Sequence, residues 1–572
     1  GTILSSDNNQ PLPGVSVIIK GTTIGTSSNI DGEFSIKAEP GNTLVLSFIG
    51  YVTQEIAIVN NKPLSVTLQL DSKQLEEVVV VGYGTVKKSD LTGSVATVTS
   101  EKIQKAQTSG IDQAIQGKVA GVTVTANTGQ PGSSVTVRIR GIGTVGNSDP
   151  LYVVDGVALS NVNFLNPSDI KSMEILKDAS ATAIYGSRGA NGVVMITTNG
   201  GKKQSKMNST FSYYTGIQSK WKTLDLMNRE QYAKFRGYDP NDVTYSSFSD
   251  WVYTKFGLST NPYIPTDINY ENYDTNWQEV VFNDNARVSN YHFTTDGGSE
   301  TSTYSLSLGY LDQDGIIISS NYKRITFRVN TSHQLNKMIK VGENLSFYNS
   351  KNRGVATNNE NYSVLNSAIT FAPWDPVRYP DGRITPSSTT NLINPISMIE
   401  NQNPKQEWNR AVGNVYADFT PIKGLTFKSD YGVDISYGKF RNFKPKYFIS
   451  TNDYMDNNCL VFSDEKYFTW QWENTLTYNK IFQQKHDLTL MVGTTAQESR
   501  SEFLGASGTN IPNESPNLWY LDNTTKNPTV GTSASESSML SYFGRVQYSF
   551  SSKYLFTFNL RRDGSSRFGK TN

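Results

Sequence analysis

The chain has 572 residues, and its 52 basic and 51 acidic residues leave a formal net charge of +1. That balance offers no electrostatic footprint for nucleic acid, and a single cysteine, Cys459, excludes an intrachain disulfide. No run of about 18 apolar residues occurs, which excludes a transmembrane helix but not a barrel, whose strands need an apolar residue only at every second position. The 31 Tyr, 26 Phe and 8 Trp suit either an aromatic-rich soluble β-protein or a chain that furnishes aromatic girdles at a bilayer. The three histidines (His292, His333, His486) lie far apart in sequence, so neither a metal site nor a cofactor is expected. No signal peptide opens the chain; Gly1-Thr2-Ile3-Leu4 reads as a strand already under way, so a mature or trimmed N-terminus is expected.

Residues 1–70 read as a small β-sandwich. Val15-Ser16-Val17-Ile18-Ile19 and Thr43-Leu44-Val45-Leu46-Ser47-Phe48 are β-branched or apolar runs. Pro11, Pro13-Gly14, Asp31-Gly32 and Pro40-Gly41 supply turns between them. Phe34 and Ile36 alternate with polar neighbours, as on a half-buried strand. The stretch from Gly14-Val15-Ser16-Val17 through Asp31-Gly32-Glu33-Phe34-Ser35-Ile36 resembles the carboxypeptidase-regulatory-like domain, which implies a non-catalytic module. A polar linker, Asp71-Ser72-Lys73-Gln74, follows.

Next come Glu76-Glu77 and the four valines Val78 to Val81, then Gly82-Tyr83-Gly84-Thr85. On local pattern alone this is either a plain buried strand or a strand that pairs with a partner's sheet edge, where backbone hydrogen bonds provide the affinity. Its place between a linker and a new domain favours the second reading. The stretch Leu75–Thr85 resembles the TonB box region of SusC/RagA-type TonB-dependent transporters. The resemblance implies that Glu76, Glu77, Val78, Val79, Val80, Val81, Gly82 and Tyr83 bind TonB, itself driven by ExbB and ExbD. It continues through Asp90-Leu91-Thr92-Gly93-Ser94-Val95, a short helix over 111–122 that ends at a glycine, and the alternating strands around Val135–Ile139 and Leu151–Val154. It also takes in Ala183-Ile184-Tyr185-Gly186-Ser187-Arg188-Gly189-Ala190-Asn191-Gly192. These motifs stand in the order of the family's plug domain.

Gly141-Ile142-Gly143-Thr144-Val145-Gly146 fits the dinucleotide fingerprint, but that fingerprint needs a helix N-terminus after it. Asn147-Ser148-Asp149-Pro150 and another strand follow instead, so the glycines are expected to form a tight loop. Arg138, Arg140 and Arg188 are the plug charges that stand out. Each is either solvated or salt-bridged surface or a group that pairs with carboxylates on the inner wall of a barrel, where polar residues are allowed.

From about Met207 the pattern becomes amphipathic strands. Ile325, Phe327 and Val329 alternate with Arg324, Thr326, Arg328 and Asn330, and Tyr304, Leu306 and Leu308 alternate with Thr303, Ser305 and Ser307. A period of two puts each set on its own face. A soluble sandwich also alternates, but several runs reach the ~9–11 residues a bilayer demands. Long loops at 217–288 and 351–409 carry Trp221, Trp251, Trp277, Trp374 and Trp408, which either pack the loops together or meet sugar or peptide ligands. Gly297-Gly298-Ser299-Glu300, Gly309-Tyr310-Leu311 and Arg561-Arg562-Asp563-Gly564-Ser565-Ser566-Arg567-Phe568-Gly569 extend the resemblance into this part. Thr275-Asn276-Trp277 departs from the family's Thr-Asp-Trp.

The fold expected is therefore mainly β. It comprises a small N-terminal β-sandwich (1–70), a linker with TonB box (71–85), an α+β plug domain (86–203), and an antiparallel transmembrane β-barrel (204–572). Roughly ten spanning strands are counted, whereas a barrel wide enough for a plug has about 22, so the chain reads as the N-terminal portion of a longer, incomplete barrel. The resemblance implies a transporter rather than an enzyme. It would sit in the outer membrane of a Gram-negative, Bacteroidetes-like bacterium, with its N-terminal domain and TonB box in the periplasm. It would import a glycan or oligopeptide with a SusD-like surface lipoprotein as lid. The alternative is a β-rich surface adhesin or assembly scaffold. No nucleophile, base and orienter stand at a motif spacing, so no catalytic residues are expected.

Overall fold

The computed structural model describes residues 1–6, 10–22, 24–48, 51–60, 62–69, 78–82, 84–87, 94–357 and 362–569. It divides into two compact units, Gly1–Val79 with Val86–Ser89, and Val80–Thr85 with Asp90–Asn572. The linker at 71–74 and the motif at 90–93 lie outside the described residues.

In the first unit, Thr2–Ser5 pairs in parallel with Ser65–Leu68. Gly25–Ser27, Ser16–Ile19, Thr43–Ser47 and Gln54–Ala57 form a four-stranded antiparallel sheet in that order. Alternation puts Val15, Val17, Leu44 and Leu46 into one core with Ile3, Val66 and Leu68. Gly32 holds the turn that joins these layers: its φ is +74°, and a Cβ there would stand 2.5 Å from the Ile3 carbonyl oxygen. Phe34 is buried as expected, but its segment makes a single bridge, Thr2 to Glu33, rather than a strand. The reason is competition for one edge, since Leu4 on the same strand bridges to Pro11.

The second unit begins with the plug. Its five-stranded sheet runs Val157–Leu159, Leu151–Val154, Val193–Thr198, Ile170–Leu176, Val95–Thr99. Only the Leu151–Val154 and Val193–Thr198 pair is parallel. Every residue of Leu151–Val154 is buried, as a strand covered on both faces requires. The helix expected over 111–122 is confined to Ile111–Ala114, because Gly117 and Gly121 take φ of +70° and +75° and turn the chain out of it. Residues 141–146 form a loop between the strands Val135–Ile139 and Leu151–Val154.

The rest is one antiparallel sheet of eleven strands, each beside its neighbour along the sheet. They are Ser205–Gln218, Ala286–Gly298, Ser302–Asp314, Asn321–Gln334, Ile339–Arg353, Asn403–Ile422, Leu425–Lys444, Cys459–Phe482, His486–Thr509, Lys526–Phe550 and Tyr554–Ser565. Its burial is inside out. On Asn321–Gln334, Arg324, Thr326 and Arg328 are 4%, 5% and 2% exposed, whereas Ile325 and Phe327 are 48% and 42% exposed. A soluble sandwich would bury the other set. Phe211, Phe293, Leu308, Phe327 and Phe347 stand in cross-strand register on the outer face, a row of bulky apolar side chains that are all exposed among the described residues. That is the face a lipid bilayer solvates.

The connections alternate between the two rims. Segments 299–301, 335–338, 423–424, 483–485 and 551–553 are tight turns at one rim, and 219–285, 315–320, 354–402, 445–458 and 510–525 leave the other. The two longest fold against each other. Trp251, Phe248, Tyr270, Trp374 and Tyr379 share one buried cluster, and Trp277 packs with Phe371 and Ile396 in a second. The Trp277 Nε1–H donates to the Ala372 carbonyl at 3.1 Å. The Gln278 amide clamps Leu224 from both sides, accepting from its N–H at 2.9 Å and donating to its C=O at 2.8 Å. Trp251, Trp277 and Trp374 are thus packing residues, while Trp221 is fully exposed.

Asp375 is buried in the first of these loop cores, where burial pushes its carboxyl up to about 7 against hydrogen bonds from Ser388. A carboxyl raised in the folded state makes the loop core most stable in acid; stability falls as pH rises from about 4 to about 7 and then levels off. Asp375→Asn keeps an acceptor for Ser388 without the charge. The variant is expected to protect loop amides from hydrogen exchange more than the parent at pH 8, with the difference fading by pH 4. Equal protection at pH 8 would show that the carboxylate is not held against its ionisation.

Candidate functional site

The inward face of the sheet is polar because the plug answers it. The turn Pro167–Asp169 is capped by Asn166, whose side chain accepts from the Ser168 N–H, and the turn aims Asp169 at the wall. Asp169 Oδ1 is 2.9 Å from His292 Nε2 on Ala286–Gly298 and 3.8 Å from Arg328 Nε on Asn321–Gln334. Arg328 also donates to Thr198 Oγ1 at 2.9 Å, and Asn330 donates to the same oxygen at 2.9 Å and to the Asn199 carbonyl at 3.1 Å. Thr198 in turn donates to Asp155, from Oγ1 at 2.6 Å and from its backbone N–H at 3.0 Å.

The two plug carboxylates are driven apart. Burial pushes both upward, but the His292 hydrogen bond and the Arg328 charge more than offset it at Asp169 and hold that group below its ordinary value. At Asp155 burial outweighs the hydrogen bonds from Thr198 and the more distant Arg328, and the pKa is raised. Asp169 is therefore the ionised partner of a buried cation. At Asp155 the same environment works against the charged form.

Further contacts run along the wall. Asn414 donates to the Asp155 carbonyl at 3.4 Å and to Asp430 at 2.7 Å. Gln471 donates to the Gly156 carbonyl at 3.2 Å and accepts from the Ala158 N–H at 3.3 Å. Arg410 donates to Asn161 Oδ1 at 2.6 Å with its guanidinium 4.7 Å from the Phe164 ring centroid. Gly309 allows a close approach, since a Cβ there would stand 2.6 Å from Asn166 Nδ2.

At this centre the charges lie the other way round from a pairing of plug arginines with wall carboxylates: the plug brings the carboxylate Asp169 and the wall brings the cation Arg328. Arg138 pairs with Asp149 of the plug itself. Arg140 is exposed, takes φ of +58°, and gives its backbone N–H to the Gly121 carbonyl at 2.8 Å. Arg188 reaches the wall, where it donates to the Gln497 amide oxygen. Beside it, the Ser187 N–H donates to Asp563 at 3.4 Å and Arg561 donates to the Ile184 carbonyl at 2.8 Å. Sequence reasoning missed Asp169 because Asn166-Pro167-Ser168-Asp169 reads as an ordinary turn. The signal that could have found it is the inward set Arg324, Arg328 and His292, which needs an anion from somewhere.

Val78–Val81 is a strand that forms a two-stranded sheet with Gly84–Lys87; Glu76, Glu77 and Tyr83 lie outside the described residues. Gly82 follows with φ of +62°, and a Cβ there would stand 2.8 Å from the Arg545 guanidinium and 2.9 Å from Ile184. Among the described residues no group of three or more His, Cys, Asp and Glu side chains is placed to hold a metal ion.

A small mixed domain seated on the polar inner face of an inside-out antiparallel sheet is the architecture of a plugged outer-membrane receptor. The model of the TonB-dependent Receptor Plug Domain matches residues 87–193, and that of the CarboxypepD_reg-like domain matches residues 1–80. The chain is 36% identical to TonB-dependent receptor P3 of Formosa agariphila, over 100% of this chain and 55% of the relative. It is 32% identical to TonB-dependent receptor SusC of Bacteroides thetaiotaomicron, over 100% and 56%. The RagAB peptide importer in its open-open state superposes with a TM-score of 0.74 at 31% identity, over 87% of this chain and 57% of that one. The chain thus spans about half the length of the relatives it matches. From end to end it is similar to the SusC-like TonB-dependent receptors, which are receptors and transporters and not enzymes.

Removing the Asp169 carboxylate leaves Arg328 buried without its counter-ion, which costs about 3–5 kcal/mol. Asp169→Ala is expected to raise hydrogen exchange across 166–199 and to sensitise cells to large antibiotics. Adding Arg328→Met should recover much of the loss, because an apolar pair replaces a broken ionic one. Equal leak in the single and double variants would mean that the pair does not hold the plug.

Proposed function

We propose that this chain is the N-terminal portion of a TonB-dependent importer of the outer membrane, which takes up a nutrient with the help of a SusD-like surface lipoprotein. The observation that carries the reading is the plug, seated on a polar wall, with a β-branched strand at its N-terminal side. The four parts are the N-terminal module (1–70), the segment with the valine strand (71–85), the plug (86–203) and the wall (204–572). The outer membrane has no ATP, so the work comes from a periplasm-spanning partner. TonB, driven by ExbB and ExbD, pairs with Glu76 to Tyr83 and pulls. Backbone pairing suits that task, since β-branched Val78 to Val81 favour the extended form and the contact is independent of cargo.

Load on this segment loosens the plug where its contacts are polar, around Asp169 and around Arg188. The exchange of such contacts for water costs less than exposing an apolar core, which makes a polar seat a releasable one. The tight turns then face the periplasm, and the long loops face outward toward the lipoprotein. The cargo class is glycan or oligopeptide; the likeness to RagAB, a peptide importer, keeps the second in view. A surface scaffold accounts for the aromatic loops but gives no reason for a plug behind a valine strand.

Deleting Val78–Val81 from the full-length protein should abolish uptake of the nutrient while surface binding and outer-membrane level stay at the parent's values. Uptake at the parent's rate by the deletion variant would sink the importer.

A further inference from the structure

We infer that Gln130 is a positioning residue of the import cycle: it fastens the tip of the plug to the root of the outward loops, so that release of the plug from below unfastens the rim above. The inference rests on the import reading and adds a means of regulation to it.

The tip is a rigid finger. The strands Val122–Ala126 and Val135–Ile139 pair residue for residue, and Val124, Val137 and Ile139 lie in the core of the plug, so the finger moves with the plug. Its loop is braced from within. Asn127 and Thr136 exchange side-chain hydrogen bonds of 3.0 and 3.2 Å, and the Ser133 hydroxyl donates to the Gln130 carbonyl at 2.8 Å.

At the end of the finger, Gln130 grips a backbone. Its Nε2 donates to the Val355 carbonyl at 2.7 Å and to Thr357 Oγ1 at 3.0 Å, and its Oε1 accepts from the Val355 N–H at 3.1 Å. Both amide protons and the amide oxygen are thereby used. Two glycines make room for the grip. At Gly354 a Cβ would stand 2.8 Å from Gln130 Oε1, and at Gly132, which takes φ of +71°, a Cβ would overlap the Tyr322 ring of the wall.

What Gln130 holds is the footing of a loop core. The Ala356 carbonyl accepts from the Val364 N–H at 2.9 Å, and the Thr357 carbonyl accepts from the Ser363 hydroxyl at 2.9 Å. Ser363 in turn caps the helix Val364–Thr370. Val355, Val364, Ala368 and Phe371 then pack with Trp277 in one buried cluster. Residues 355–357 therefore carry the helix on one side and the plug on the other. Withdrawing the finger takes the partner from the N–H and C=O of Val355, a residue only 9% exposed, and that cost falls on the loop. Hydrogen bonds of this kind are exchanged for water and re-formed at a small net difference, which suits a contact broken in each cycle.

The test follows hydrogen exchange of the full-length protein in detergent along a urea series, with no cargo present. In the parent, the helix Val364–Thr370 and the plug strands Val122–Ala126 and Val135–Ile139 are expected to lose protection at one shared midpoint. Gln130→Met keeps the length of the side chain and removes its hydrogen bonds. It should raise exchange of the helix about fivefold or more in buffer and give the helix a midpoint of its own. Gly132→Val leaves Gln130 in place but lifts the finger off Tyr322, and should separate the midpoints in the same way. A role in packing alone would lower protection of the helix without separating the midpoints. Separate midpoints in the parent, or a shared midpoint that survives Gln130→Met, overturns the inference. Neither cargo nor energy enters the measurement, so such a failure leaves the importer intact, whereas normal uptake without Val78–Val81 would fail the importer and not the clamp.

Discussion

Arg328 is a guanidinium at 2% exposure in the middle of a sheet whose other face is apolar. A charge in that position is strongly unfavourable unless it is paired and hydrogen-bonded. Nothing on its own strand can do this, so the plug has to deliver Asp169, and Thr198 Oγ1 has to accept from the guanidinium as well. Once that is required, the turn at Pro167–Asp169, the end of the strand Val193–Thr198 and the carboxyl of Asp155 are all positioned by one cation. The plug is held by hydrogen bonds and charge where a soluble domain would be held by an oily seam.

The same polarity makes the wall intelligible. A backbone in lipid must satisfy every N–H and C=O within the sheet, which the ladders do for the strands between the two edges, Ser205–Gln218 and Tyr554–Ser565, each of which is paired on one side among the described residues. Apolar side chains are then free to face outward, and polar ones inward. The plug has an ordinary core, with Val98, Ile103, Ile175 and Val194 fully enclosed and Val412 of the wall joined to it, while most of its other contacts with the wall are polar. The loop clusters around Trp251 and Trp277 are a third environment, packed like small soluble domains on the rim.

Much of this was legible in the residues. The alternation of Ile325, Phe327 and Val329 with Arg324, Thr326 and Arg328 states both faces of a strand, and the ordered plug motifs state what sits beside it. What alternation leaves open is which face is buried, because period two is the same in a sandwich and in a barrel; the exposures decide it. Partners were not legible. Asp169 and His292 are 123 positions apart, and only a completed register brings them together. The stacking of Trp408 on Tyr467, with ring centroids 6.2 Å apart, depends on two strand registers and on the bare backbone of Gly438, none of which has a local signature. Phe34 shows the converse, a residue whose pattern is that of a strand but whose partner edge is shared with Pro11.

The lengths of the ladders set an order of mechanical weakness. Cys459–Phe482 and His486–Thr509 are paired residue for residue along their whole length. A pull along such strands loads all their bonds in shear together, so the wall behaves as a stiff frame. The plug is fastened by separate contacts at Asp169, Thr198, Asn161, Gly156 and Ser187, which a pull from one end meets in succession. The plug therefore acts as the fuse and the wall as the anchorage: under tension the chain yields at the seat, contact by contact, while the frame keeps its shape.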